Sequence, residues 1–289
     1  MKSKAERKSY LMMIASLLIV GTIGILRRYI PLSSTLLAFF RGLIGSASLL
    51  VFVILFRKKT WQKTNRQQLA GMVINGAFLG INWILLFEAF SYTTIAKATL
   101  CYYMQPTFLL LLSPIVFKEH LTLKKMLCAI AALTGMVFVS GIIGSGATQS
   151  GELRGIACGL GAACFYTLVV ILNKKISGTD VYQKTTIQLF SAAVVLLPYL
   201  LITSGFHGIE FDGKLILLIL IAGVIYTGVV YALYFGSMDG LKAQTISALS
   251  YIDPVVAMVA STVVFRESLS AIGIVGAVLI IGSAIIGEL

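Results

Sequence analysis

Charge is what this sequence is short of. Charged residues make up 12% of the 289-residue chain, against about 25% in soluble domains, so half the polar coat of a water-facing fold is missing. Acids are scarcer than bases, 11 Asp and Glu against 23 Lys and Arg. Two histidines, His120 and His207, and four cysteines, Cys101, Cys128, Cys158 and Cys164, are scattered singly along the chain. That spacing excludes a zinc framework, and the cysteines read as small apolar packing residues. No glycine loop ending in Lys and a hydroxyl residue is present, which leaves direct ATP use without support. The first apolar run lacks a small-residue cleavage site after it, so it reads as a retained helix and not a secretory leader.

What fills the chain is hydrocarbon: 58% of residues are apolar and the mean hydropathy is +0.96. Runs long enough for a bilayer, about 20 residues each, recur at 9–27, 34–56, 69–89, 95–117, 124–143, 153–173, 182–203, 214–236, 243–265 and 270–288. The expectation is an all-α integral membrane protein of ten transmembrane helices. Assigning alternate loops and the span ends beside them to the two faces puts 16 Lys and Arg on the side of the N-terminus and six on the other, with Arg41 alone deep inside a span. By the positive-inside rule both termini face the cytoplasm, in a multi-pass protein of the cytoplasmic membrane. The net charge of +12 is then topological, with anionic lipid and not nucleic acid as its neighbour.

The chain also repeats itself. "YYMQPTFLL" from Tyr102 and "SYIDPVVAM" from Ser250 carry prolines, Pro106 and Pro254, 148 residues apart. The same offset pairs Tyr103 with Tyr251, Phe117 with Phe265, Glu119 with Glu267 and Leu121 with Leu269. Thr122 and Ser270 take N-cap positions before the next helices. Duplication divides one membrane domain into residues 1–148 and 149–289, five spans each. An odd number of spans starts the second copy on the opposite face, so the repeats are inverted, an arrangement transporters use around a midplane site.

These residues resemble the drug/metabolite transporter superfamily, EamA-type. The resemblance covers nearly the whole chain and rests on Pro106 with Glu119, Pro254 with Glu267, and "AFSYTTIAKATL" from Ala89 to Leu100. It implies a ten-span carrier of two inverted repeats, without naming a cargo.

Two residues look misplaced in "LSYIDPVV". Asp253 lies about 15 Å into a hydrocarbon core of about 30 Å, at a cost of roughly 2.5–3.5 kcal/mol if ionised. Gln105 is its counterpart before the other proline. Each proline removes a backbone donor and crowds the carbonyl four residues earlier, which points to polar spots at Tyr102 and Ser250. As a functional residue Asp253 binds a cationic group or takes up a proton; as a structural one it steadies the kink. Arg41, the other deep charge, either grips a carboxylate or phosphate, pairs with Asp253 or Glu88, or snorkels outward. Glu88 is a coupling candidate, with an interfacial ion pair to Lys97 as the structural alternative. Glu119 and Glu267, at helix exits, point to fold maintenance. Asn75 and Asn82 share a helix face beside Trp83, while Thr227, Tyr231 and Tyr234 form a stripe at helical spacing. The 148-residue offset makes Tyr231 the counterpart of Trp83. The fifth and tenth spans, rich in Gly, Ala and Ser, read as peripheral close-packing helices.

Together these features indicate a secondary transporter, not an enzyme, that moves a small polar or zwitterionic metabolite, such as an amino acid or related compound, by alternating access. Protons are the candidate coupling ion, membrane lipid and the small-molecule substrate are the expected partners, the oligomeric state is left open, and no cofactor is implied. The alternatives are a lipid translocase or membrane scaffold and, behind them, an integral-membrane enzyme. His120 and His207 fall on opposite expected faces, which counts against the last.

Overall fold

Polar residues at loop ends set where the helices begin. The computed structural model describes residues 4–57, 63–93, 95–139, 152–203, 211–265 and 271–288. Ser33 accepts from the Leu36 amide, and Asn65 and Gln68 form a reciprocal capping box at 2.7 and 3.1 Å. Asp180 accepts from Tyr182, Asp212 from Leu215 and Thr122 from Lys125. Each cap satisfies a donor that the first helical turn leaves open. Ser270 and Glu267 lie outside the described residues.

All regular structure among the described residues is helical. In chain order the helices are α1 (Lys4–Gly21), α2 (Ile23–Arg28), α3 (Ser34–Phe52), α4 (Arg66–Tyr92), α5 (Ile95–Tyr102), α6 (Gln105–Phe117), α7 (Leu123–Val139), α8 (Glu152–Lys175), α9 (Val181–Thr203), α10 (Gly213–Gly223), α11 (Val230–Ser237), α12 (Ala243–Ser250), α13 (Ile252–Phe265) and α14 (Ala271–Glu288). Several are pieces of one rod: α1 with α2, α5 with α6, α10 with α11, and α12 with α13. Counted as rods, eight among the described residues are long and apolar enough to cross a bilayer. Two further apolar helices, α7 and α14, occupy the stretches where a fifth and a tenth span were expected. The outward side chains are apolar, among them Ile202 at 85% and Ile115 at 78% exposure, as a multi-pass membrane protein requires.

Close backbone approach replaces the hydrophobic effect as the packing force in lipid. A Cβ built on Gly76 of α4 would lie 2.4 Å from the Gln188 carbonyl of α9. The peripheral pair α7 and α14 crosses the same way, Gly135 and Gly276 each facing the other's carbonyl at 2.6 Å. Inside, α4 packs on α8 and α9, α3 on α9, and α6 on α12. Lys184 is 1% exposed and donates to the carbonyls of Asn173 and Ile176 at 3.1 and 3.3 Å. Its ammonium thereby caps the C-terminal end of α8, where a cation is favoured.

Candidate functional site

Pro106 and Pro254 do not kink continuous helices; each stands in the first turn of a new one. There the missing N–H has no intrahelical partner to lose. The chain breaks at Tyr103–Met104 between α5 and α6, and at Tyr251 between α12 and α13. Side-chain donors reach the backbone about one turn beyond the Tyr102 carbonyl that the sequence pointed to. Thr167 of α8 donates to the Gln105 carbonyl at 3.3 Å, and Ser247 of α12 to the Pro106 carbonyl at 2.5 Å.

The broken helices are stitched together by their tyrosines. Tyr103 donates to Oδ2 of Asp253 at 2.9 Å, and the hydroxyls of Tyr251 and Thr107 meet at 2.5 Å. Further along the same crossing, Gln244 donates to Ser113 Oγ at 3.0 Å and to the His120 carbonyl at 3.3 Å, and accepts from Lys125 at 2.5 Å. Glu119 ends the series: its two carboxylate oxygens accept from the amides of Ala243 and Gln244 at 2.8 and 3.1 Å. A carboxylate across the N-terminus of α12 satisfies two open donors and meets the positive end of the helix dipole.

On the other side of this seam lies a cavity of about 240 Å³. Asp253, Gln105, Arg41, Trp83, Tyr231 and Tyr234 all line it, as do Tyr102, Tyr103 and Tyr166. Arg41 enters from α3 and donates through Nε to Thr227 Oγ1 at 2.9 Å and through Nη2 to the Tyr226 carbonyl at 3.5 Å. Both acceptors sit in a π-helical turn, Val224–Val229, that joins α10 to α11. The wider turn displaces the ordinary hydrogen-bond ladder, as π-bulges at functional sites do, and Thr227 itself donates to the Ala222 carbonyl at 2.9 Å. No carboxylate among the described residues pairs with Arg41, and no cation among them pairs with Asp253. An arginine and an aspartate therefore line one cavity without pairing with each other. Gln105, 3% exposed, adds an Nε2 with no partner among the described residues.

Aromatic rings form the wall between the charges. Tyr102 and Tyr166 stack at 5.8 Å, and Tyr166 and Tyr234 at 6.4 Å with 13° between planes. Trp83 meets Tyr231 edge to face at 6.3 Å. Tyr166, in "GLGAACFYT" of α8, was not singled out from sequence. Its signal was a large amphipathic ring amid small residues at mid-helix depth.

Other candidates lie elsewhere. Asn82 donates to the Ala162 carbonyl at 2.7 Å, and Asn75 is fully buried with neither side-chain atom partnered among the described residues. Glu88 accepts from the Tyr199 hydroxyl at 2.5 Å, while Lys97 pairs with Glu152. Neither Asn82 nor Glu88 is among the described residues lining the cavity.

The sequence profile of the EamA-like transporter family matches residues 7–141 and again 153–287. An "Uncharacterized transporter YxxF" of Bacillus subtilis (strain 168) is 30% identical over 276 residues, covering 94% of this chain and 88% of that one. "Protein PecM" of Dickeya dadantii (strain 3937) is 25% identical over 221 residues, with 74% and 71% covered. A solved crystal structure, 17% identical in sequence, matches with a TM-score of 0.84 over 100% of this chain and 99% of that one, a likeness of fold.

Proposed function

This chain belongs to the EamA-like transporter family, and we propose that it is a secondary carrier moving a small polar or zwitterionic metabolite across the cytoplasmic membrane by alternating access. One observation carries the reading: Arg41 and Asp253 face a common cavity, each with hydrogen-bonding capacity that no described residue fills. Unpaired charges at membrane depth are costly and persist where water or a ligand completes them. A dipolar molecule with an anionic and a cationic end, an amino acid or a relative of one, complements both. Asp253 is also the natural site for a coupling proton.

The access geometry supports the same reading. A second chamber adjoins the cavity on the side of the Arg27 and Ser34 ends of α2 and α3, the face the charge bias assigns to the exterior. Toward the opposite, basic face the cavity is closed by the seam of Glu119, Gln244, Ser247 and Tyr251. Beyond the seam a polar bowl of about 590 Å³, lined by Glu6, Lys124, Lys125 and Lys242, opens on the basic face. Each seam hydrogen bond contributes a net 0.5–1.5 kcal/mol or so. A handful of them matches the few kcal/mol that separate two conformers of one protein. Breaking the seam while the outer chamber closes completes the cycle, and two inverted five-helix repeats are the architecture that makes the two states near-equivalent.

The test is a thermal-shift screen of the purified chain in lipid nanodiscs against small zwitterions, amines and organic anions. Binding to the native state raises the unfolding midpoint. Zwitterions should shift it for wild type, and Arg41→Met and Asp253→Asn should each remove the shift. A response to anions alone or amines alone would contradict the dipolar site.

A further inference from the structure

We propose that the site takes an amphipathic zwitterion, whose charged head sits at Arg41 and Asp253 and whose apolar tail fills the second chamber. The inference rests on the head site argued above. That chamber, about 270 Å³ between α2, α3, α4 and α10, adjoins the main cavity, because Ile23, Ala38, Arg41, Leu86 and Phe87 line both. The rest of its wall is largely apolar, with Leu26, Ile30, Leu37, Phe90 and Ala222. Its rim cation, Arg27, donates to the carbonyls of Ile30 and Leu32 at 2.6 and 2.9 Å.

A space this size far exceeds the ~10–15 Å³ that admits one water, yet a well-held water needs two to four polar partners. Walls of leucine and phenylalanine offer few, so apolar atoms gain more there than water does. A polar cargo alone would cross a passage lined with hydrogen-bonding groups; this one is lined with hydrocarbon. Arg41 stands at the junction, its guanidinium available to an anionic head whose carbon chain turns into the chamber.

Full-length protein in nanodiscs, titrated with 2-aminobutyrate, norvaline, norleucine and 2-aminoheptanoate, reads the chamber directly. The head is constant and the tail grows by one methylene. Affinity should tighten about fourfold per methylene, the fold-change corresponding to about 0.8 kcal/mol. Gly24 lines the chamber and a Cβ there meets nothing within 4 Å, so Gly24→Phe should flatten the series. Phe90→Ala should carry the rise to longer chains. Equal affinity for all four probes in wild type overturns the tail and leaves the head site standing. A slope unchanged by both variants overturns the location. Binding of none of the four removes the head site and the tail together.

Discussion

Tyr103 and Asp253 come from the two halves of the chain and meet at 2.9 Å where each half breaks a helix. The hydroxyl supplies one donor to a carboxylate that has no cationic partner among the described residues, so it is the protein's own contribution to holding that group. Tyr103→Phe leaves the ring in the cavity wall and removes only this donor. Hydrogen bonds to charged groups are worth about 1.5–3 kcal/mol, so zwitterion affinity should fall at least tenfold, with a lower unfolding midpoint. Unchanged binding in equilibrium titration would show the contact to be incidental.

Thr227 holds Arg41 from inside the π-helical turn. Thr227→Val keeps the shape and removes the acceptor for Nε; Thr227→Ser keeps the acceptor. The valine variant should weaken binding of the anionic end by about tenfold, near 1.4 kcal/mol, and the serine variant should stay close to wild type. Equal behaviour of the two variants would mean the arginine is oriented by something else.

Glu119 latches the face opposite the outer chamber. Removing a helix cap costs about 0.5–2 kcal/mol, enough to shift a population between near-equal states. In a protein with its four native cysteines replaced, a reporter Ser250→Cys faces the main cavity. Adding Glu119→Ala should raise its labelling by an impermeant maleimide applied from the cytoplasmic side several-fold. An unchanged rate would reduce Glu119 to a local cap.

Gly76 tests the packing. With the Gln188 carbonyl 2.4 Å from an added Cβ, Gly76→Ala should destabilise by about 1–3 kcal/mol through overpacking. Gly282→Ala, where nothing lies within 4 Å, should be neutral or gain up to about 1 kcal/mol of helix propensity. Both are read from thermal unfolding in the same lipid.

Much of this was legible in the residues. Pro106 and Pro254, at one offset from Tyr103, Tyr251 and the two glutamates, marked where helices break, because a missing donor is a local fact of sequence. Asp253 and Arg41 stood out because charge in an apolar run has few explanations. Their surroundings were not legible, for the partners are distant in the chain. Thr227 meets Arg41 only because residues Val224–Val229 widen into a π turn, which no residue type announces. The acid that reaches Lys97 is Glu152, 55 residues away, while Glu88 turns to Tyr199. Asn82 shares a helix face with Asn75, as periodicity predicted, yet its amide meets a neighbouring backbone, a choice set by rotation of α4 against α8. Tyr166 lines the cavity beside Tyr102 and Tyr234, rings from two other helices that its own sequence neighbourhood does not name.

Transport depends most directly on the Asp253 carboxylate. Asp253→Asn preserves size and hydrogen-bonding shape while deleting the charge, so counterflow of the tightest-binding zwitterion into proteoliposomes isolates that charge. We expect counterflow to fall about tenfold or more, as loss of one charge-assisted contact implies, with the amount of inserted protein unchanged. Wild-type counterflow with an unaltered pH profile would contradict the role assigned to this residue and the carrier mechanism built on it.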